Sequence, residues 1–408
     1  MPSDDSLQTV SGGVTAAAGF LAGTASCGIK SEDHKRADLA LVCSEVPSVA
    51  AAVFTTNRVK AAPVRVSAAH LRTRDVRAIV LNSGNANAAT GLPGIEHAKR
   101  MARAVGWHLG LRERQVLVCS TGRIGVPLPI ERVEDGIARA AGTLNQAQGK
   151  AAARAIMTSD TFPKEVAVRE TLPGGGTFTV GGMAKGAGMI NPNMATMLCV
   201  LTTDAAIEKK ELQRALAVAI EQSFNRITVD GDMSTNDTVI LLANGRAPGV
   251  VLAAGSEGLA AFQRALNHVT LRLARMIVED GEGVSKFVEV QVSGAATFQD
   301  ARKAAEAVAN SSLVKCAWYG GDPNWGRIID ALGYSTAAVR EEMIDIYYNG
   351  LIAVKAGVAA AKTPPAQLQK ICREKRFTVH VHLGLGSAEY VVYTSDLTPE
   401  YVRLNKGE

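Results

Sequence analysis

Aromatic residues are scarce, at 5% of a 408-residue chain. A nucleic-acid face wants clustered cations interleaved with aromatics. Here the net charge of +5 is spread along the chain, and the densest basic run, Lys370 to Arg376, is interrupted by Glu374. Nucleic acid is therefore not an expected partner. The six cysteines (Cys27, Cys43, Cys119, Cys199, Cys316 and Cys372) nowhere form a C-x-x-C pair. That spacing argues against a zinc site and a disulfide framework, and favours free thiols in a reducing compartment. No stretch approaches the roughly 18 uninterrupted apolar residues of a membrane span. The N-terminal MPSDDSLQTV is acidic and polar, unlike a signal or transit peptide, so a cytoplasmic location is expected.

Familiar catalytic signatures are missing too. No G-x-S-x-G elbow occurs, which argues against an α/β-hydrolase. No G-x-x-x-x-G-K-[ST] occurs, and the glycines of Lys185-Gly186-Ala187-Gly188 precede a strand instead of opening a helix, so a phosphate cradle is not expected. None of the seven histidines falls in H-E-x-x-H; His380 and His382 share one strand face but lack a third ligand, so no metal is expected. An enzyme of this composition needs a nucleophile that works without a histidine base.

What is present is an ordinary globular balance, 47% hydrophobic and 20% charged, in a chain long enough for two domains. Apolar residues recur at three- and four-residue spacing in Glu96–Leu109, Ile130–Leu144, Lys209–Phe224, Glu257–Val278 and Phe298–Asn310, which predicts helices. Val76–Leu81, Gln115–Cys119, Leu198–Thr202, Thr238–Leu242, Phe287–Val292, Phe377–Leu383 and Glu389–Tyr393 read as strands. Mixed elements without a steady βαβ rhythm suggest a layered α/β or α+β fold.

Two glycine-rich stretches stand out. Gly174-Gly175-Gly176 reads as a hairpin loop between two short strands. The second stretch, Gly181 to Met189, runs through Ile190-Asn191-Pro192-Asn193-Met194-Ala195-Thr196 into the apolar strand that starts at Met197. A threonine at a chain N-terminus carries its own base, because its α-amine, with a pKa near about 7.7–8, lies a few bonds from its hydroxyl. Lys185 could keep that amine neutral by like-charge repulsion. Autoproteolysis would expose such a threonine: Thr196 attacks the Ala195 carbonyl, and the ester hydrolyses. Flexible glycines upstream permit the strained turn this needs. A strand-opening threonine is by itself common.

The segment Met183-Ala-Lys-Gly-Ala-Gly-Met-Ile-Asn-Pro-Asn-Met-Ala-Thr196-Met-Leu closely resembles the cleavage segment of the bifunctional ornithine acetyltransferase/glutamate N-acetyltransferase (ArgJ) family. Phe54-Thr-Thr-Asn57, Asn82-Ser-Gly-Asn-Ala-Asn87, Ser120-Thr121-Gly122, Asp230-Gly-Asp-Met-Ser-Thr-Asn-Asp237 and Gly321-Asp-Pro-Asn-Trp-Gly-Arg327 look like further family blocks in the family order. The resemblance implies an α/β (α+β) layered sandwich similar to N-terminal-nucleophile hydrolases, with two intimately packed halves. Self-cleavage between Ala195 and Thr196 would give an α chain, 1–195, and a β chain, 196–408, associating as an α2β2 heterotetramer. Thr196 would take acetyl from N-acetylornithine and pass it to glutamate. No cofactor is implied, although some members take acetyl from acetyl-CoA as co-substrate.

The resemblance assigns the oxyanion hole to Thr121 and Gly122, and substrate contacts to Thr158, Lys185, Thr196, Glu282 and Asn405. A hydroxyl and a backbone N–H after a strand suit a tetrahedral oxyanion. Lys185 suits a substrate α-carboxylate, and Glu282 suits an amine, with Glu279 and Asp280 as near alternatives. Arg123 and Met233 depart from the family pattern, as does the ending Lys406-Gly407-Glu408, where a further substrate-contacting hydroxyl is usual. The rival readings are a self-cleaving N-terminal-threonine amidase or peptidase that uses water as acceptor, and an uncleaved scaffold in which Thr196 is merely structural.

Overall fold

Several strands of the first half carry apolar residues at consecutive positions, the mark of a sheet covered on both faces. The computed structural model describes residues 7–30, 36–73, 75–172, 175–191 and 197–406. Gly174, Ala195 and Thr196 lie outside the described residues. The chain divides into two units, one of 1–186, 193–225 and 232–277, the other of 187–192, 226–231 and 278–408.

The first unit contains β1 (Leu7–Thr9), β2 (Phe20–Ala25), β3 (Leu39–Phe54), β4 (Val76–Asn85), β5 (Val116–Arg123), β6 (Lys164–Thr171), β7 (Thr177–Lys185), β8 (Leu198–Thr203), β9 (Ala206–Ile207), β10 (Thr238–Ala243) and β11 (Val251–Leu252). β9 and β11 pair only with each other among the described residues. The others follow the order β1-β6-β7-β8-β10-β3-β4-β5, with β2 also on β3. β3 serves two partner sets. Its Leu39–Ser44 half pairs with β2, and Leu39–Cys43 of that half also pairs with β4. Its Val49–Phe54 half pairs with β10. A register shift between Cys43 and Ser48, around Pro47, separates the two halves.

Alternation along the strands then builds layers. Ala78, Val80, Val116 and Val118 pack with α1 (Ala62–His70), α2 (Gly91–Leu109) and α3 (Ile130–Ala141). Their neighbours Ile79, Leu81, Leu117 and Cys119 point the other way, into a core shared with Met183, Leu198, Val200, Ile240, Leu242 and α4 (Gly149–Ala155). α5 (Lys209–Glu221) and α6 (Glu257–Glu279) follow β9 and β11, and the Phe262 ring of α6 lies 5.9 Å from that of Phe178 on β7. This is the layered α/β sandwich that was expected.

The glycine-rich stretch differs from a flexible loop. Gly181 and Gly182 are strand residues of β7, and a Cβ on Gly181 would lie 2.0 Å from the Gly13 carbonyl oxygen. Glycine is there for close approach. The Ala195–Thr196 bond falls between β7 and β8, which pair antiparallel. The halves 1–195 and 196–408 therefore supply adjacent strands of one sheet, and do not coincide with the two units.

In the second unit β12 (Phe287–Ala295), β13 (Asp345–Tyr348), β14 (Leu351–Lys355), β15 (Val358–Ala359), β16 (Arg376–His382) and β17 (Ala388–Ser395) form a sheet in the order β15-β14-β13-β16-β12-β17. Period-two residues Val288, Val290, Val379, Val381 and Val392 bury against α7 (Phe298–Asn310), α8 (Ser312–Tyr319), α9 (Trp325–Tyr334) and α10 (Pro365–Cys372). α11 (Pro399–Leu404) follows. On the opposite face Ser293 Oγ sits 2.8 Å from His380 Nε2 and 3.1 Å from His382 Nδ1, and Tyr347 stacks on His380. The two histidines engage neighbouring side chains of their own sheet. No helix among the described residues is long and apolar enough to cross a membrane.

Ile240 is fully buried in the inter-sheet core, between its pairing partners Val200 and Ala52. Ile240→Ala should cost about 2–5 kcal/mol by the lost contacts and the cavity left behind. Urea unfolding would read this as a lower midpoint; a loss below about 1 kcal/mol would mean that the core collapses freely around the gap.

Candidate active site

Strand alternation carries the inter-sheet face of β5 from Leu117 and Cys119 on to Thr121, and that of β7 from Met183 on to Lys185. The two polar side chains meet. Lys185 Nζ donates to Thr121 Oγ1 at 3.4 Å, and both residues are buried. With its oxygen used as acceptor, the Thr121 hydroxyl keeps its own proton to give, and no acceptor for that proton occurs among the described residues. Lys185 is thus a buried strand residue, unlike a solvated loop lysine.

The backbone beside Thr121 is held from two sides. Ser120 Oγ donates to Asn82 Oδ1 at 2.6 Å, and Asn82 Nδ2 donates to the Asn85 carbonyl. Asn236 Nδ2 donates to the Ala86 carbonyl at 2.7 Å and the Ser120 carbonyl at 2.8 Å. Two of the other quoted sequence blocks therefore converge on Ser120-Thr121-Gly122. Gly122 has φ +132°, and a Cβ there would lie 2.2 Å from the Gly84 carbonyl carbon, so only glycine fits. Cys119 is no rival nucleophile, because burial pushes its thiol up to about 12.

Sequence reasoning passed over Asp160, which organises the lysine end of this cluster. Its Oδ1 accepts from Lys164 Nζ at 2.6 Å and from the Gly186 N–H at 2.8 Å. Its Oδ2 accepts from the Thr158 N–H at 2.9 Å, with the Thr158 hydroxyl at 3.5 Å. Burial would raise the Asp160 carboxyl, but Lys185, Lys164 and the Gly186 N–H hold it well below the usual carboxylate range. Thr158 and Lys185 are thereby brought into one network with Thr121. The run Thr158-Ser-Asp-Thr-Phe-Pro-Lys164 contained the signal, an acid four residues before a lysine.

Asp237, at the head of β10, was likewise unassigned. It is fully buried, and its Oδ1 accepts the Met197 N–H at 2.9 Å. Burial pushes its carboxyl well above the usual range, against the pull of that N–H and of Lys185.

In the second unit, Glu282 separates from its acidic neighbours. Glu279 pairs with Arg376 at 3.2 Å and Asp280 is buried, whereas Glu282 is half-buried. Asn405 Nδ2 donates to Glu282 Oε2 at 2.8 Å, and the Glu282 carboxylate lies against Gly188, where a Cβ would come within 2.5 Å of it. Glu282 and Asn405 are brought together. Ala195 and Thr196 lie outside the described residues, and no group of three or more His, Cys, Asp or Glu among the described residues could hold a metal ion.

The Asp160 carboxyl titrates lower when folded than when unfolded. Its stabilisation is complete above the unfolded value near about 3.9 and is lost as pH falls through the folded value. Wild type should melt above Asp160→Asn at neutral pH, and the gap should narrow below about pH 4. A gap that stays constant from neutral to strongly acidic pH would contradict the ionised carboxylate.

Comparison with known proteins identifies the family. The ArgJ family model matches residues 21–407. The chain is 51% identical to the arginine biosynthesis bifunctional protein ArgJ of Geobacter sulfurreducens over 91% of this chain and 94% of that one. It is 45% identical to the glutamate N-acetyltransferase of Methanocaldococcus jannaschii over 98% and 99%. A crystal structure of arginine biosynthesis bifunctional protein ArgJ from Bacillus halodurans is 39% identical, covering 51% of this chain and 97% of that one, with a TM-score of 0.49. With nearly its whole length matched at this identity, the chain belongs to the ArgJ family.

Proposed function

We propose that this chain is an acyltransferase of arginine biosynthesis that cuts its own Ala195–Thr196 bond and then moves acetyl from N-acetylornithine to glutamate through Thr196. Family membership supports the reaction class. The observation that carries the chemistry is the Thr121 hydroxyl, buried, accepting from Lys185 and free to donate, next to a position where only glycine fits.

The steps follow from these residues. In the cleaved protein the Thr196 α-amine takes the Thr196 hydroxyl proton as the oxygen adds to the acetyl carbonyl. The carbonyl oxygen gains charge, and Thr121 Oγ–H and Gly122 N–H donate to it; each such donor contributes roughly 2.7–4 kcal/mol to the transition state. Ornithine leaves with the proton and the acetyl group stays on Thr196. The glutamate amine then attacks the ester by the reverse path. Lys185 and Thr158 serve the substrate's carboxylate, and Glu282 with Asn405 serves an amine. No cofactor takes part in this scheme; acetyl-CoA would enter as an alternative acetyl donor. The cleaved chains act as an α2β2 assembly in the cytoplasm.

With N-acetylornithine as donor and glutamate saturating, the product should be N-acetylglutamate. Release of free acetate at the same rate would replace this reading with a water-using amidase. Thr121→Ala should lower kcat by about 10²–10³-fold, with Thr121→Ser much closer to wild type. Unchanged kinetics in Thr121→Ala would remove the hydroxyl from the mechanism.

A further inference from the structure

Lys30 is a cation near Thr121 for which the transfer scheme has no use. Its backbone is tied to Asp38, whose Oδ2 accepts the Ile29 N–H at 2.6 Å and the Lys30 N–H at 3.3 Å. The Asp38 Oδ1 accepts the Cys27 N–H at 2.6 Å, so this carboxylate is spent on backbone donors. The Lys30 stem crosses β4 at Gly84, where a Cβ would lie 3.0 Å from Lys30 Cγ. Gly84 is the register partner of Gly122.

Past that crossing the amine comes to the face that holds Thr121. Ser83 and Thr121 are register partners on β4 and β5, and they continue the inward alternation of Leu81 and Cys119. Ser83 Oγ donates to the carbonyl of Ala155, the last residue of α4, at 2.5 Å. Lys30 Nζ donates to that same oxygen at 3.3 Å. Two lysines therefore flank Thr121, Lys185 on its hydroxyl and Lys30 across Ser83.

The Lys30 ammonium is under-compensated. Of its three N–H donors, one goes to Ala155 and one to the Ala37 carbonyl at a long 3.5 Å. No carboxylate pairs with it among the described residues. Burial pushes this half-buried amine down to about 8, against the pull of Asp38 and Asp160, and Lys185 adds repulsion. A partly desolvated cation with a donor to spare attracts a carboxylate more strongly than a solvated one does.

Ornithine and glutamate share an α-carboxylate and an α-amine, and differ at the far end, an ammonium in one and a second carboxylate in the other. In the transfer scheme Lys185 and Thr158 serve the shared carboxylate. Resting on that scheme, we propose that Lys30 is a specificity-determining residue that receives the side-chain carboxylate of glutamate. The side-chain ammonium of ornithine meets like charge at the same place and is turned away from it.

The test separates the two half-reactions in purified wild type and Lys30→Met. Labelled ornithine exchanging into N-acetylornithine reports one, and labelled glutamate exchanging into N-acetylglutamate reports the other. Lys30→Met should raise the KM for glutamate by about 10–100-fold, and by at least about tenfold more than the KM for ornithine. Lys30→Arg should recover most of that loss. Glutamine replaces the side-chain carboxylate by an amide, so wild type should prefer glutamate to glutamine by about 10–100-fold, and Lys30→Met should lose the preference. A lysine that only caps the end of α4 would weaken both exchanges alike, and that result overturns the role, as does an unaltered glutamate KM. Should Lys30→Met fail to fold, wild type and Lys30→Arg decide: equal use of glutamine and glutamate by both overturns the role. These failures leave acetyl transfer standing. Wild type that exchanges neither label overturns the transfer scheme and the Lys30 role together.

Discussion

A carboxylate sealed from water has to be compensated, and the compensation of Asp160 arranges much of what surrounds it. One oxygen holds Lys164 and the Gly186 N–H, and the other holds Thr158. Lys185 adds the further positive charge that keeps the carboxylate ionised. The end of β7, the start of β6 and the loop before it are thereby fixed relative to one another. Lys185 can then reach Thr121 because both follow the inward-facing alternation of their strands. A buried ion pair is a weak source of net stability but a strong constraint on geometry once built, since loss of either partner strands a charge.

The second constraint is the tie among the blocks that end β3, β4 and β5 and those that begin β8 and β10. Asn236 holds the backbone at Ala86 and Ser120, and Asp237 holds it at Met197. Adjacent residues of one segment thus fix Thr121 and the strand that follows Thr196. Sites held by packed side chains and backbone partners keep their reacting groups within the small tolerances that acyl transfer needs. Two acids on which Lys185 acts are set apart by environment in the manner of many acid–base pairs: Asp160 among cations and N–H donors stays charged, while burial of Asp237 in a strand junction drives it toward its neutral form.

The regular elements were legible where periodicity was strong. Val76–Leu81, Leu198–Thr202 and Thr238–Leu242 lie within strands, because both their faces are apolar and covered. The helix expected over Ile130–Leu144 ends at Ala141, ahead of Gly142, and that over Lys209–Phe224 ends at Glu221. β3, the longest described strand, escaped notice because Glu45 and Pro47 interrupt its pattern at the point where it changes partners. Gly181 and Gly182 suggested looseness, yet there the missing side chains admit the Gly13 backbone and the Leu201 and Leu273 side chains. Such tertiary reasons leave no local trace. Thr121, Gly122 and Lys185 were nameable from their blocks. The buried carboxylates were not, because an Asp in a polar run looks the same in sequence whether it is solvated, paired or held neutral.

Everything chemical in this account depends on residue 196 carrying a free amine beside its own hydroxyl. The most direct measurement is peptide mapping by mass spectrometry of active protein exposed briefly to N-acetylornithine without glutamate. The account predicts a polypeptide that begins Thr196-Met197-Leu198-Cys199 and carries one acetyl group on the Thr196 oxygen. Active protein in which Ala195 and Thr196 remain joined, or in which the acetyl group lies on another residue, would contradict it.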